Sequence, residues 1–239
     1  MFYNYTWYAS YIVLIPAILF TLYASSKVNS TFKKYSKYAN RNGYTGAEVA
    51  RKILDDQGLY DVRIEHIPGD MTDHYDPRTK VVRLSDTVHS KNSLSAISVA
   101  AHECGHAIQH QQQYVFLSIR HAIVPGVNLV NKMSMPMIMI GVILGGFGGN
   151  SSVGYLMIQL GILFFAGAVL FQFVTLPVEF NASKRALQIL DAERMLSDEE
   201  MGPAKKVLNA AALTYVAAAA TAVLSLIRLI LVFGGRRDD

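Results

Sequence analysis

Apolar residues collect in long runs separated by charged segments, the distribution of a membrane protein rather than of a soluble one. Residues 5–24 form an uncharged run of about the 20 residues needed to span a bilayer. Tyr5, Trp7, Tyr8 and Tyr11 stand at its start, where an aromatic belt sits. It opens without the basic side chains of a signal peptide, and Pro16 lies mid-segment, so an uncleaved anchor is expected. Residues 133–149 are apolar and rich in Met and Gly, and the block 145–152 reads as a tight turn. Residues 153–176 then give the second member of a transmembrane hairpin. A fourth run covers 210–233, with Arg228 near its end, where a long cationic side chain can snorkel to the interface.

Between the runs the periodicity changes. Residues 45–58 predict a short amphipathic helix, with Thr45 and Glu48 as a capping box and Gly58 as its stop. Val62 to Ile67 alternates as a strand that Pro68-Gly69-Asp70 ends. A turn-rich block, Asp73-His74-Tyr75-Asp76-Pro77, precedes a second strand from Lys80 to Leu84. Asn92 or Ser93 caps a helix running to about Tyr114. Val115–Val130 reads as a mixed segment broken at Pro125-Gly126. Glu179 opens a further helix to Met195, and Ser197 with Glu200 forms a second capping box.

Charge orients these elements. Lys27, Lys33, Lys34, Lys37 and Arg41 follow the first run, with no acid before Glu48. The positive-inside rule then puts the N-terminus outside and the next segment in the cytoplasm. Four spans return the C-terminus to the outside, where Arg236 and Arg237 run against the rule. Of the 239 residues 51% are hydrophobic, and the net charge is +4. The basic residues sit beside apolar runs without an interleaved basic-aromatic patch, which points to a membrane surface and not to nucleic acid. Cys104 is the only cysteine, so no intrachain disulfide forms; a small buried residue is its expected role.

The chemistry centres on His102-Glu103-Cys104-Gly105-His106. Positions four apart share a helix face, so the two imidazoles can meet one metal ion. Glu103 projects beside them, where a carboxylate can take a proton from an activated water. Apolar flanks, among them Leu94, Ile97, Ala100 and Ile108, predict a buried helix on which such polar groups need partners. A catalytic zinc needs a third protein ligand. Gln112 stands where a metzincin has histidine, which excludes that class. His110 reads as a solvated helix-end residue. No Asp or Glu lies between Glu103 and Glu179, which makes Glu179 the leading candidate and His121 its competitor. Glu179 also reads as a first-turn acid favoured by the helix dipole.

The segments Thr72–Lys80, Ala100–His106 and Pro177–Phe180 together resemble the YugP-like bacterial neutral zinc metallopeptidases over nearly the whole chain, and more distantly the HtpX and CAAX-prenyl-type membrane proteases. In the latter a Glu in a Glu-x-x-Ala-Asp helix is the third zinc ligand. The resemblance puts Glu179 in that place, with Ala182 at the Ala. Ser183 replaces the Asp, so its hydroxyl is left to orient a ligand. Such enzymes use an oxyanion-stabilising His or Tyr, for which His74 and Tyr75 are candidates. A bacterial cell-membrane location follows from the resemblance, not from hydropathy.

The expected fold is mainly α and polytopic, about four transmembrane helices with a small α+β gluzincin-like cytoplasmic lobe. The expected parts are an anchor (1–26), a metallopeptidase lobe with a β-hairpin (27–130), a transmembrane hairpin (131–176), a cytoplasmic helix with the third ligand (177–209) and a C-terminal transmembrane helix (210–239). One zinc ion held by His102, His106 and Glu179, with Glu103 as general base on zinc-activated water, makes the chain a membrane-anchored endopeptidase. Residues 80–85 are the candidate sheet edge for an extended substrate. Expected partners are protein or peptide substrates, membrane proteins among them, and the lipid bilayer; a homo-oligomer or a membrane complex is compatible. The alternatives are a catalytically silent zinc-containing scaffold and, less favoured, a site-2-type intramembrane protease.

Overall fold

The computed structural model describes residues 10–148 and 151–233. Tyr5, Trp7 and Tyr8 of the expected belt, Gly149 and Asn150 of the turn, and Arg236 and Arg237 lie outside the described residues. The elements run α1 (Ile15–Tyr35), α2 (Gly46–Asp56), β1 (Arg63–His66), β2 (His74–Asp76), β3 (Val81–Leu84), α3 (Leu94–Gln111), α4 (Val115–Ile143), α5 (Ser152–Ala192) and α6 (Asp198–Phe233). Among the described residues, four helical stretches are long and apolar enough to cross a membrane: Ser10–Tyr35, Val115–Ile143, Ser152–Ala192 and Asp198–Phe233. The protein is thus mainly α and polytopic with a small three-stranded sheet, as the pattern of apolar runs predicts.

The helices are more continuous than the sequence suggests. α4 runs through Pro125 and Pro136 without a break, and α5 runs through Pro177 for 41 residues. A proline removes one intrahelical hydrogen bond, yet membrane helices tolerate this because neighbouring groups re-satisfy the freed backbone. Glu179 therefore lies in the interior of α5, and the first-turn dipole reading falls. At 1.5 Å per residue α5 is about 60 Å long, twice the hydrocarbon thickness of a bilayer.

The chain divides into two compact units. The first comprises 1–23, 119–175 and 215–239. Here α4 and α5 approach through small residues: a Cβ on Gly141 would stand 2.5 Å from the Gly154 carbonyl oxygen, and one on Gly161 would stand 2.8 Å from that of Ser134. The Ser134 hydroxyl donates to the Gly161 carbonyl at 2.8 Å. Close backbone approach is how helices associate where lipid removes the hydrophobic drive between them. The Arg228 guanidinium lies over the Tyr11 ring, 4.0 Å from its centroid, a cation–π contact in place of simple snorkelling. Ile143, Leu163 and Leu170 remain exposed, an apolar surface suited to lipid.

The second unit comprises 24–118 and 176–214. Thr45 and Glu48 form the expected capping box on α2, whose Val49, Ala50, Ile53 and Leu54 make one buried face. That face packs with Ile97, Ala100, Ala101, Cys104 and Ile108 of α3 and with Val82 and Leu84 of β3 in one core. α5 and α6 contribute Ala186, Leu190, Val207 and Leu208 to it.

The sheet order is β1-β3-β2. β1 pairs with β3 in parallel, Ile64 opposite Val82, and β2 pairs with β3 antiparallel, Tyr75 opposite Val82. The block read as a loop at 73–77 thus supplies a strand. Val81, Val82 and Leu84 are buried, as expected of a central strand. This corrects the substrate-edge expectation for residues 80–85. Both sides of β3 already carry partners, and the edges of the sheet are β1 and β2.

Candidate metal centre

Two helical stretches within the second unit build the site, α3 and the part of α5 from Leu176 onward. α3, capped by the Ser93 hydroxyl on the Ala96 amide, presents His102 and His106 one turn apart. Their rings lie 4.8 Å apart at 83°. α5 brings Glu179, 3% exposed, so that its Oε2 lies 3.4 Å from His102 Nε2 and 3.5 Å from His106 Nε2. One donor atom from each of the three lies within 4.8 Å of the others. His121 is not in this group, the one that could hold a metal ion among the described residues.

The approach of the helices depends on Gly105. A Cβ there would stand 2.7 Å from the Ala182 carbonyl oxygen and 3.2 Å from Ala182 Cα. Alanine at 182 and glycine at 105 therefore let the α3 backbone lie against α5 between the two histidines.

The donor chemistry fits zinc. Two imidazole nitrogens and a carboxylate oxygen are the set that leaves a tetrahedral zinc one open position. Each imidazole is also held from behind, as metal-binding histidines usually are. His102 Nδ1 lies 3.1 Å from Ser183 Oγ, so the serine in the Asp position of the distant relatives does touch a histidine. His106 Nδ1 lies 3.0 Å from Gln109 Oε1. Both Nε2 atoms consequently face Glu179.

Glu103 is 8% exposed. Burial pushes its carboxyl above the ordinary carboxylate range; His102 and His106 oppose the shift, and Glu179 and Asp73 add to it. A buried carboxyl with a raised pKa beside candidate metal ligands is suited to proton transfer near neutral pH. Cys104 points elsewhere. It is fully buried, and its thiol lies 3.6 Å from the Ala50 carbonyl oxygen on α2.

The Thr72–Lys80 block serves mainly to fold the sheet. Asp73 accepts hydrogen bonds from the Ser85 amide at 2.7 Å and hydroxyl at 2.9 Å. Asp76 accepts from Thr79 Oγ1 at 2.7 Å, the Arg78 amide at 3.0 Å and Arg83 Nη1 at 3.2 Å. His74 is exposed on β2, with Nδ1 2.9 Å from the Thr72 carbonyl and Nε2 3.5 Å from Arg83. Tyr75 turns inward, its hydroxyl 2.9 Å from His110 Nδ1. His110 is therefore not the solvated residue expected. Burial, with Asp61 and Asp76 adding, pushes the Tyr75 phenol up to about 12.

Sequence reasoning missed Gln109, Asn181 and Arg185. Gln109 is fully buried, and its side-chain nitrogen donates to the Val178 carbonyl at 2.8 Å and to Asn181 Oδ1 at 2.9 Å. The available signal was its position three residues after His106, on the same face of the helix.

The family described as "Putative neutral zinc metallopeptidase" matches residues 10–234. The chain is 48% identical over 225 residues to "Putative membrane protease YugP" of Bacillus subtilis (strain 168), covering 94% of this chain and 96% of that one. No solved structure matches it. A His-His-Glu cluster, four apolar helices and a match over nearly the full length agree: the chain belongs to this neutral zinc metallopeptidase family.

Proposed function

We propose that the protein is a multi-pass, membrane-anchored zinc endopeptidase whose site works at the cytoplasmic face of the membrane. The observation that carries the reading is the convergence of His102, His106 and Glu179 beside a buried Glu103. His102 Nε2, His106 Nε2 and a Glu179 carboxylate oxygen would hold the ion. Zinc, when bound, supplies Lewis acidity toward a water molecule and the scissile carbonyl. Glu103 accepts the proton of the attacking water as the new C–O bond forms, and delivers it to the amine as the C–N bond breaks. Its burial favours this by keeping a carboxyl that can hold a proton until the leaving group needs it. Substrates are proteins or peptides, with membrane proteins the natural class for a membrane-anchored site.

The packing of α3 against α2 and β3 in a protein core supports a surface site over an intramembrane one. The intact Glu103 supports an enzyme over a silent scaffold, since a structural zinc site has no use for a base. The test compares detergent-purified wild type and Glu103→Gln, both shown to carry zinc, on an unfolded protein substrate. Loss of about 10²–10⁴-fold in turnover with zinc retained is expected from removing a general base. Equal cleavage by both proteins overturns the assignment.

A further inference from the structure

Gln109 joins the two halves of the candidate centre, and its orientation can be deduced. Arginine Nε is a donor only, and Arg185 Nε lies 2.7 Å from the Asn181 amide. Asn181 must therefore turn its oxygen toward Arg185. That same oxygen lies 2.9 Å from the Gln109 amide, which is also 2.8 Å from the Val178 carbonyl oxygen. Two acceptors face that end of Gln109, so it is the NH₂ end. The remaining end, facing His106 Nδ1 at 3.0 Å, is the carbonyl oxygen. An acceptor there requires the proton of a neutral His106 to sit on Nδ1, which leaves the lone pair on Nε2, the atom 3.5 Å from Glu179.

We infer that Gln109 is a positioning residue for the metal. Held by Val178 and by the Arg185–Asn181 pair, it selects the His106 tautomer that can bind zinc and fastens that ring to α5 beside Glu179. The partner of His102 differs in kind. A serine hydroxyl both donates and accepts, so Ser183 leaves the His102 tautomer open, whereas the Gln109 amide fixes that of His106. The two ligand helices are thereby tied through hydrogen bonds that do not depend on the metal: α3 supplies Gln109, and α5 supplies Val178 and Asn181.

The inference rests on the metal site proposed above, so the experiment measures zinc itself, by chelator competition on the full-length protein in detergent, with metal-free melting recorded in parallel. Gln109→Met conserves side-chain length but offers His106 no acceptor. Gln109→Glu keeps an acceptor oxygen in either protonation state. The expected result is a loss of about 10- to 100-fold in zinc affinity for Gln109→Met, the range for removing an outer hydrogen-bond partner of a metal-binding histidine. Most of that affinity returns in Gln109→Glu, while metal-free melting falls in both, because neither variant keeps both hydrogen bonds that Gln109 donates to Val178 and Asn181. Wild-type zinc affinity in Gln109→Met overturns the inference. So does an equal loss in both variants that follows their melting, since the side chain would then serve folding alone. If Gln109→Met does not fold, the Glu variant decides the matter: near-wild-type affinity supports the role, and collapse of zinc binding in a folded protein overturns it. A wild type that binds no zinc overturns the metal-site reading itself, a failure distinct from any difference among the variants.

Discussion

Replacing Gly105 with alanine tests whether the spacing of α3 and α5 sets zinc affinity. The added Cβ would meet the Ala182 carbonyl oxygen at 2.7 Å and the Ala182 Cα and carbonyl carbon at 3.2 Å. These are backbone atoms of a helix and cannot swing aside. Reaching an ordinary contact requires the helices to part locally by roughly 0.5–1 Å. The contact lies between His102 and His106 on one side and the Glu179 helix on the other, while ligand distances in a metal site tolerate only about 0.2 Å. The metal-free protein relaxes by parting the helices, and binding must draw them together again. Overpacking by one methyl costs about 1–3 kcal/mol, which appears as about a 5- to 150-fold weaker zinc Kd. Chelator competition on purified Gly105→Ala measures it. Gly202→Ala serves as the control, because a Cβ at Gly202 meets nothing within 4 Å and alanine favours a helix by up to about 1 kcal/mol. Wild-type zinc affinity in Gly105→Ala, with a melting curve like that of the control, would refute the reasoning.

Two further outcomes are expected. Asp76 is held down to about 2, chiefly by Thr79 and the Arg78 amide; a carboxyl depressed in the folded state contributes stability above its unfolded value near 4, lost as pH falls from about 4 through 2. Melting of Asp76→Asn should therefore change less than that of wild type across this window, and parallel curves would refute the role. The cytoplasmic placement is tested with cysteine at the exposed Lys80 in intact cells. A membrane-impermeant maleimide should label it only after permeabilisation, against little background, since burial pushes the Cys104 thiol up; labelling of intact cells would reverse the topology.

What the sequence made legible was local. The apolar runs announce four long helices, and the 3.6-residue period alone puts His102 and His106 on one face. Glu179 was reachable because no other carboxylate follows Glu103 until it, and because of the resemblance around it. Pairings across distance were not legible. Lys80–Leu84 and Val62–Ile67 read correctly as strands, but nothing in either says that they lie parallel or that His74–Asp76 closes the other edge. Pro125 read as a break and Glu179 as the start of a new helix, whereas here the helices continue through Pro125 and Pro177. For Gln109 the sequence offered only its place three residues after His106. Its meaning lies in Val178, Asn181 and Arg185, which reach it only once α3 and α5 are packed.

The distance along the chain between the two halves of the centre has a consequence for synthesis. His102 and Ser183, which touch in the folded protein, are 81 residues apart. A ribosome adding about 5–20 residues per second needs on the order of 4–16 s to cross that interval. During that time the nascent chain holds His102, Glu103 and His106 without Glu179, and most of the apolar stretch from Val115 onward is made before Glu179 is. The candidate metal centre therefore cannot close until residues 107–178 have been made, and the chain lacks its third candidate ligand throughout that interval.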